Sequence, residues 1–250
     1  MRLRPGIKPR VPLERALSKL GIASRTQARE WILAGRVRVD ERVVRDPLRA
    51  VVLESARIVV EGQEALLQAP RTMLLHKPKG VVTTRADEKG RPTVFGLLKG
   101  IDTYLVAVGR LDFATTGLLL LTNDTAFSAW ITDPRNAVPR VYLATVRGEF
   151  TAEKAQRLQR GIVDDGERLQ ASGIEIRKAS GRESHLTLNL TEGKNREIRR
   201  MLASTGNEVT RLKRVSFGGL ELGDLEPGKW REVSEVDLVA AFPGAPIRVR

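Results

Sequence analysis

The chain has no cysteine and only two histidines, His76 and His185. The first absence removes disulfides, thiolate nucleophiles and zinc ribbons, and it fits a protein kept in a reducing cytoplasm. The second leaves too few imidazoles for a histidine-rich metal site or a Ser/His triad. No apolar run approaches the length that spans a bilayer, and the basic start MRLRPGIKPRVP has no apolar stretch behind it. Neither a membrane segment nor a secretory signal is therefore expected. No basic amphipathic helix with an aromatic face is visible, which disfavours an anionic membrane as the partner. No convincing glycine-rich cofactor loop follows an early strand pattern, which argues against a methyltransferase.

What the chain does have is positive charge. Lys and Arg number 43 against 30 Asp and Glu, a net charge of +13. Residues 1–50 alone carry 13 basic and 5 acidic side chains, an excess of 8. Such a block binds polyanions by displacing counterions from phosphates. A merely solvated basic surface is the alternative, but the concentration of charge in the first fifth of the chain favours nucleic acid. At 250 residues there is room for one large or two modest domains.

The N-terminal residues 1–11 read as a flexible basic arm. PLERALSKL then places Leu13, Ala16, Leu17 and Leu20 on one helical face, with Gly21 as its stop. Ser24 with Gln27 forms a capping-box signal for a second helix that buries Ala28, Trp31 and Ile32 and stops at Gly35. RVRVDERVV alternates about Asp40-Glu41 as strand, turn and strand, and ARIVVEG adds a further strand. This gives a compact helical-hairpin-plus-β module over residues 12–62. Arg25, Arg29, Arg36, Arg38 and Arg42 are available on it for phosphate contact. Residues 63–71 read as a linker.

From residue 72 the texture changes to strands with interspersed helices. MLLHK and VVTT flank the turn signal Pro78-Lys79-Gly80. YLVAV reads as a strand, and GLLLLT as a strand buried on both faces. RVYLATV, HLTLNL and VTRLKRV also read as strands. Helices are expected after the caps Thr151 and Ser234 and over NREIRRMLAST. The order is not a regular strand–helix alternation, so residues 72–250 are expected to form an α+β domain around a mixed, largely antiparallel sheet.

Within this half, GRLDFATTGLLLLTND sets Asp112, Thr115, Thr116 and Gly117 at the mouth of the most apolar segment. A turn in which Asp112 pairs with Arg110 would explain the aspartate alone. A stiff buried strand behind it, however, is what holds a reactive side chain firmly. In the helix pattern, Ile198, Met201 and Leu202 define the apolar face, Arg199 lies at its border, and Arg196 and Arg200 point away. Tyr142 could equally be a strand core residue. Lys77 and Lys79 could hold phosphate or simply flank the turn. Lys194 and Asn195 could touch RNA backbone or simply begin the helix.

Five segments carry a family resemblance. LSKLGIASRTQAREWILAGRVRVD resembles the small RNA-binding domain shared with ribosomal protein S-four. GRLDFATTGLLLLTND resembles the catalytic signature of the bacterial ribosomal RNA pseudouridine synthases of the RsuA/RluB/RluE/RluF type. HKPKG at 76–80, RVY at 140–142 and EGKNREIRRM at 192–201 are similar to the other motifs of that family. Two departures are visible: Arg140 stands where lysine is common, and Thr125 where glycine is common.

The resemblance implies an RNA enzyme that isomerises a specific uridine of ribosomal RNA through an everted base, without metal or cofactor. NREIRRM is closer to the large-subunit branch than to the small-subunit branch, where Tyr-His-Gln is usual. Asp112 matches the essential aspartate, Tyr142 the active-site tyrosine and Arg199 its basic partner. Lys77, Arg110, Arg140, Lys194, Asn195, Arg196 and Arg200 are then expected along the RNA. Thr115, Thr116 and Gly117 are expected to wall the pocket. The partner is a ribosomal RNA hairpin or an assembling ribosomal particle, and the protein is expected to be a cytoplasmic monomer. The rival is a non-catalytic RNA-binding or ribosome-assembly protein built on the same module.

Overall fold

The computed structural model describes residues 10–53 and 55–248. Residues 1–9 of the expected basic arm lie outside them. Arg10 and Val11, assigned to that arm, instead belong to the strand Arg10–Pro12, antiparallel to Ala50–Val52. Val11 is buried there, which explains why the chain is ordered earlier than its charge suggests.

The helices Leu13–Lys19 and Arg25–Leu33 follow the apolar spacing. Leu13, Ala16, Leu17, Ala28 and Ile32 are fully buried in a shared core, whereas Trp31 is only partly covered. Ser24 caps the second helix, its Oγ accepting from the Gln27 N–H at 3.0 Å, a cap worth about 1 kcal/mol. Val37–Val39 and Arg42–Val43 form a hairpin whose two turn residues, Asp40 and Glu41, both have positive φ. That is the left-handed pair a tight two-residue hairpin needs. Ile58–Val60 pairs with the other edge of Val37–Val39, and Gln63–Glu64 pairs with Ile58–Val60. The hydrogen-bonded sheet thus continues two residues past position 62.

The rest of the chain is organised by one nine-stranded sheet. Across it the strands run Gly173–Lys178, Glu183–Leu190, Arg140–Arg147, Val209–Phe217, Thr116–Thr122, Thr72–Lys77 and Trp230–Glu232. Val106–Ala107 and Leu220–Glu221 pair onto its sides. Among these described strands the one parallel neighbour pair is Val209–Phe217 with Thr116–Thr122. The sheet is therefore mixed and largely antiparallel, the α+β architecture expected.

The leucine run is the two-faced strand it reads as. Leu119 and Leu121 pack with Met73, Leu75 and Tyr142 on one side, while Leu118 and Leu120 pack with Leu74, Phe127 and Phe217 on the other. All four leucines are fully buried, each worth roughly 1.5–3 kcal/mol of hydrophobic transfer. Asp124 then caps the helix Thr125–Thr132 through the Ala126 and Phe127 N–H groups. Thr151 and Ser234 cap Ala152–Arg160 and Glu235–Ala241, as their sequence contexts predict.

Three local expectations fail. VVTT is not a strand: Val82 makes one isolated bridge to Thr93, and Thr83 turns inward to hydrogen-bond a loop instead. YLVAV is strand only over Val106–Ala107. The helix expected from Asn195 begins at Glu197, because Arg196 is left-handed with φ 48°. No helix among the described residues is long and apolar enough to cross a membrane.

The two units meet at Asn123. Its Nδ2 donates to the Ala69 carbonyl and its Oδ1 accepts from the Arg71 N–H, both at 2.8 Å. Gln68 N–H bonds the Leu20 carbonyl at 3.2 Å, and the backbone of Gly21 lies against the Asn123 side chain.

Candidate active site

Asp112 sits in the loop that leads into Thr116–Thr122, and that loop is held residue by residue. Thr83 Oγ1 donates to the Leu111 carbonyl at 2.8 Å and lies 3.3 Å from the Leu111 N–H. Gly80 N–H donates to the Phe113 carbonyl at 2.9 Å. Arg199 Nη2 reaches the Ala114 carbonyl at 3.5 Å. Lys77 Nζ donates to the Thr115 carbonyl at 2.8 Å and to that of Pro78 at 3.1 Å. Lys77, Gly80 and Thr83 all come from the segment opened by HKPKG. That segment therefore serves the aspartate loop, and this explains why its turn does not close a hairpin. Gly80 and Thr83 went unrecognised in the sequence; a small hydroxyl residue in a supposed strand was the available signal.

Lys77 was expected on the RNA, but its side chain is completely buried. Burial pulls its pKa down to about 8, while the Asp112 carboxylate acts in the opposite direction. It is a cation beneath the loop, not a surface phosphate contact.

The Asp112 carboxylate is 39% exposed and opens onto a cavity of about 290 Å³. That is near the lower limit of typical small-molecule sites and suits a single base. Arg196, expected to point away, places Nη1 3.9 Å from Asp112 Oδ2. Its left-handed backbone takes it off the helix and turns it toward the carboxylate. Arg199 is half-buried and donates to the Val209 carbonyl at 3.2 Å. Burial lowers its pKa, Arg196 adds to the effect, and Asp112 opposes it. The aspartate thus lies in the field of two guanidiniums and one ammonium. The ion-pair contact comes from Arg196, not Arg199.

Tyr142 lines the cavity from the central strand, together with Leu212, Ile198 and Leu190. Thr115 also lines it; Thr116 and Gly117, expected in the wall, do not. Gly117 has another task. At φ 108° it lies against Arg214 on the parallel neighbour strand, where an added Cβ would stand 2.1 Å from the Arg214 carbonyl oxygen.

Arg140 was expected on the RNA but is buried. It donates to the carbonyls of Val138, Thr191 and Ile131, and its guanidinium faces the Phe217 ring at 4.8 Å. Arg200 was likewise expected on the RNA. It is tied to Asp164 at 2.5 Å and Glu167 at 2.6 Å, so it braces the helix Glu197–Ala203 against the hairpin Ile162–Asp164/Glu167–Leu169. Lys194 lies at the cavity rim with Nζ on Glu192 at 2.7 Å. Asn195 is exposed beside it, and Arg110 is exposed where the cavity opens.

Glu197, another residue the sequence reading passed over, is buried at the cavity and its Oε2 accepts from the Lys194 N–H at 3.1 Å. Burial first, and the neighbouring Glu192 carboxyl second, push its pKa up to about 7. In the N-terminal unit, Arg25 bonds Glu14 at 2.6 Å with Arg29 at 3.9 Å from the same carboxylate. Arg36 pairs with Glu61, and Arg38 holds the Glu41 carbonyl. All four side chains remain exposed and can still meet phosphate.

Residues 71–204 match the family model described as RNA pseudouridylate synthase, and residues 11–51 match that of the S4 domain. Over 239 residues the chain is 36% identical to an RNA pseudouridine synthase of Aquifex aeolicus (strain VF5), covering 95% of this chain and 96% of that protein. Over 227 residues it is 36% identical to ribosomal large subunit pseudouridine synthase B of Bacillus subtilis (strain 168), covering 89% and 91%. A crystal structure of a pseudouridylate synthase superposes with a TM-score of 0.66 at 26% identity, covering 91% of this chain and 98% of that one.

Proposed function

The chain belongs to the RNA pseudouridylate synthase family, and on that basis we propose that it isomerises a uridine of large-subunit ribosomal RNA to pseudouridine. The observation that carries the reading is the aspartate loop: four separate donors fix residues 111–115 and present Asp112 at the mouth of a base-sized cavity. A loop restrained in this way has the preorganisation that catalysis at one atom requires.

The reaction breaks the bond from ribose C1′ to uracil N1, turns the ring, and rejoins it through C5 with loss of the C5 proton and protonation of N1. Atoms and electrons balance with no oxidant or reductant. Asp112 supplies the carboxylate at the sugar, as nucleophile at C1′ or as acceptor of a sugar proton. Lys77, Arg196 and Arg199 surround it with positive charge. An everted base needs a surface to stack on, and the Tyr142 ring in the cavity provides one. Its hydroxyl is suited to receive the C5 proton after rejoining.

The basic N-terminal unit, with Arg25, Arg29, Arg36 and Arg38 exposed, grips RNA outside the cavity. Arg110, Arg196 and Lys194 meet the backbone around its rim. The substrate is a ribosomal RNA hairpin or an assembling particle in the cytoplasm, and the enzyme works as a monomer. The relative named for the large ribosomal subunit favours that RNA over the small-subunit one.

The test is tritium release from C5-labelled uridine in large- and small-subunit ribosomal RNA. Wild type is expected to release label from the large-subunit RNA. Asp112→Asn is expected to release none while binding the same RNA with unchanged Kd. Equal release by the variant, or none from either RNA by wild type, would overturn the reading in favour of a non-catalytic RNA-binding protein.

A further inference from the structure

One buried group in the cavity has no part in the chemistry above. Arg214 lines the cavity and is 3% exposed. Its Nε donates to the Leu118 carbonyl at 2.8 Å, and its Nη2 is buried with no hydrogen-bond partner. Its guanidinium faces the Phe217 ring at 4.8 Å, as does that of Arg140. Among the described residues no carboxylate lies within ion-pair distance of either; Tyr142 and Glu197 favour the Arg140 charge from further off, and less strongly than burial and Arg214 oppose it. Two desolvated cations side by side are costly unless something negative offsets them. Burial and the nearby Arg214 charge both lower the pKa of Arg140, as expected for neighbours of like sign.

The position of Arg214 narrows what that negative partner is. Register pairs Arg214 with Tyr142 on the adjacent strand, and both line the cavity that would hold the base. The close approach at Gly117 fixes the Arg214 backbone against the leucine strand. On the proposed function the phosphodiester chain runs along the rim, where Arg110 and Arg196 are exposed, and what enters beside Tyr142 is the base. Uracil is neutral when it arrives. When its bond to C1′ breaks, the electron pair stays on N1 and spreads over O2 and O4. The ring remains anionic until C5 bonds C1′; the C5 proton is then lost and N1 gains one, with no further change of charge.

We infer that Arg214, seated with Arg140 against Phe217, is a catalytic contact that stabilises the detached, anionic uracil ring. This rests on the synthase reading and adds to it a residue outside the segment matched by the family model. A fixed donor aimed at charge that develops only during reaction is typically worth about 10²–10³ in rate.

The experiment compares wild type with Arg214→Gln in single turnover, on RNA carrying either uridine or 5-fluorouridine at the modified position. Loss of the N-linked nucleoside is read by mass spectrometry after nuclease digestion. Fluorine makes the ring a better carrier of negative charge, so the variant should lose about 100-fold on uridine and clearly less on 5-fluorouridine. RNA Kd and its salt dependence should be unchanged. An equal loss on both substrates, no loss on either, or weaker binding with a shallower salt slope would overturn the inference; the last result would mark a phosphate contact.

If Arg214→Gln does not fold, Arg214→Lys serves. A lysine buried there loses its charge at lower pH than an arginine, so its rate relative to wild type should fall as pH rises from 7 to 9. A ratio constant with pH would overturn the inference. A wild type that never converts uridine would instead remove the synthase reading itself.

Discussion

Lys77→Met should separate stability from activity. In the wild type the ammonium is completely buried, with its pKa drawn from 10.5 down to about 8. That displacement corresponds to roughly 3 kcal/mol against the charged form. Below pH 8 both folded and unfolded chains carry the charge and the whole penalty is present. As pH rises from 8 toward 10.5, the folded chain loses its proton before the unfolded chain does, and the penalty is relieved. Between pH 7 and pH 9.5 the wild type should therefore gain about 2 kcal/mol relative to the methionine variant. Groups shared by the two proteins cancel in this difference. The variant also loses the donor to the Thr115 and Pro78 carbonyls, an opposing cost of about 1.5–3 kcal/mol per charged hydrogen bond. That cost sets the offset between the two proteins at pH 7, where the amine is charged; the linkage above already contains the whole change with pH.

The assay is urea unfolding of both proteins at the two pH values. Tritium release should meanwhile fall about 10- to 100-fold, the usual consequence of small misplacement of a reactive group, because the loop carrying Asp112 is unpinned at Thr115. Parallel pH dependences for the two proteins would refute the electrostatic reasoning. Full activity in a folded variant would refute the positioning role.

Two further substitutions test other parts of the structure. Gly117→Ala combines a φ of 108° with a Cβ 2.1 Å from a backbone oxygen; it should cost about 3 kcal/mol or more, seen as a large loss of Tm or of soluble protein. A near-normal Tm would mean that the two strands can separate there. Glu197→Gln should become progressively more stable than wild type as pH rises from 5 to 8. The wild-type carboxyl has its pKa raised to about 7, so its favourable contribution is full below about 4.5 and is lost as pH climbs through 7. Thermal melts across that range should diverge; curves that stay parallel would place the carboxyl in a wetter setting.

The parts of the fold legible in the sequence were those with local physical causes. Four consecutive leucines can be satisfied only by burial on both sides, and Ser24, Thr151 and Ser234 announce helices through hydroxyls that accept from backbone N–H groups. Asp112 and Tyr142 stand out because their surroundings resemble a known motif, and both line the one cavity described above. What escaped depended on tertiary placement. Arg196 adopts a left-handed backbone that nothing in an arginine favours, and this turned it from an outward-facing residue into the nearest cation to Asp112. Lys77 ends a strand whose residues are all buried, yet its charge suggested the surface. Arg214 left a usable signal. In VTRLKRVSF it stands two residues from Leu212, on the inward face of the strand, where an arginine needs a reason.

The leucine strand also serves as a yardstick. Asp112 stands four residues before its first residue, and Asn123, which clips the chain leaving the N-terminal unit, follows its last. Seven residues of extended chain span about 20 Å. The separation between that joint and the aspartate loop is thus set by a rigid rod of hydrocarbon.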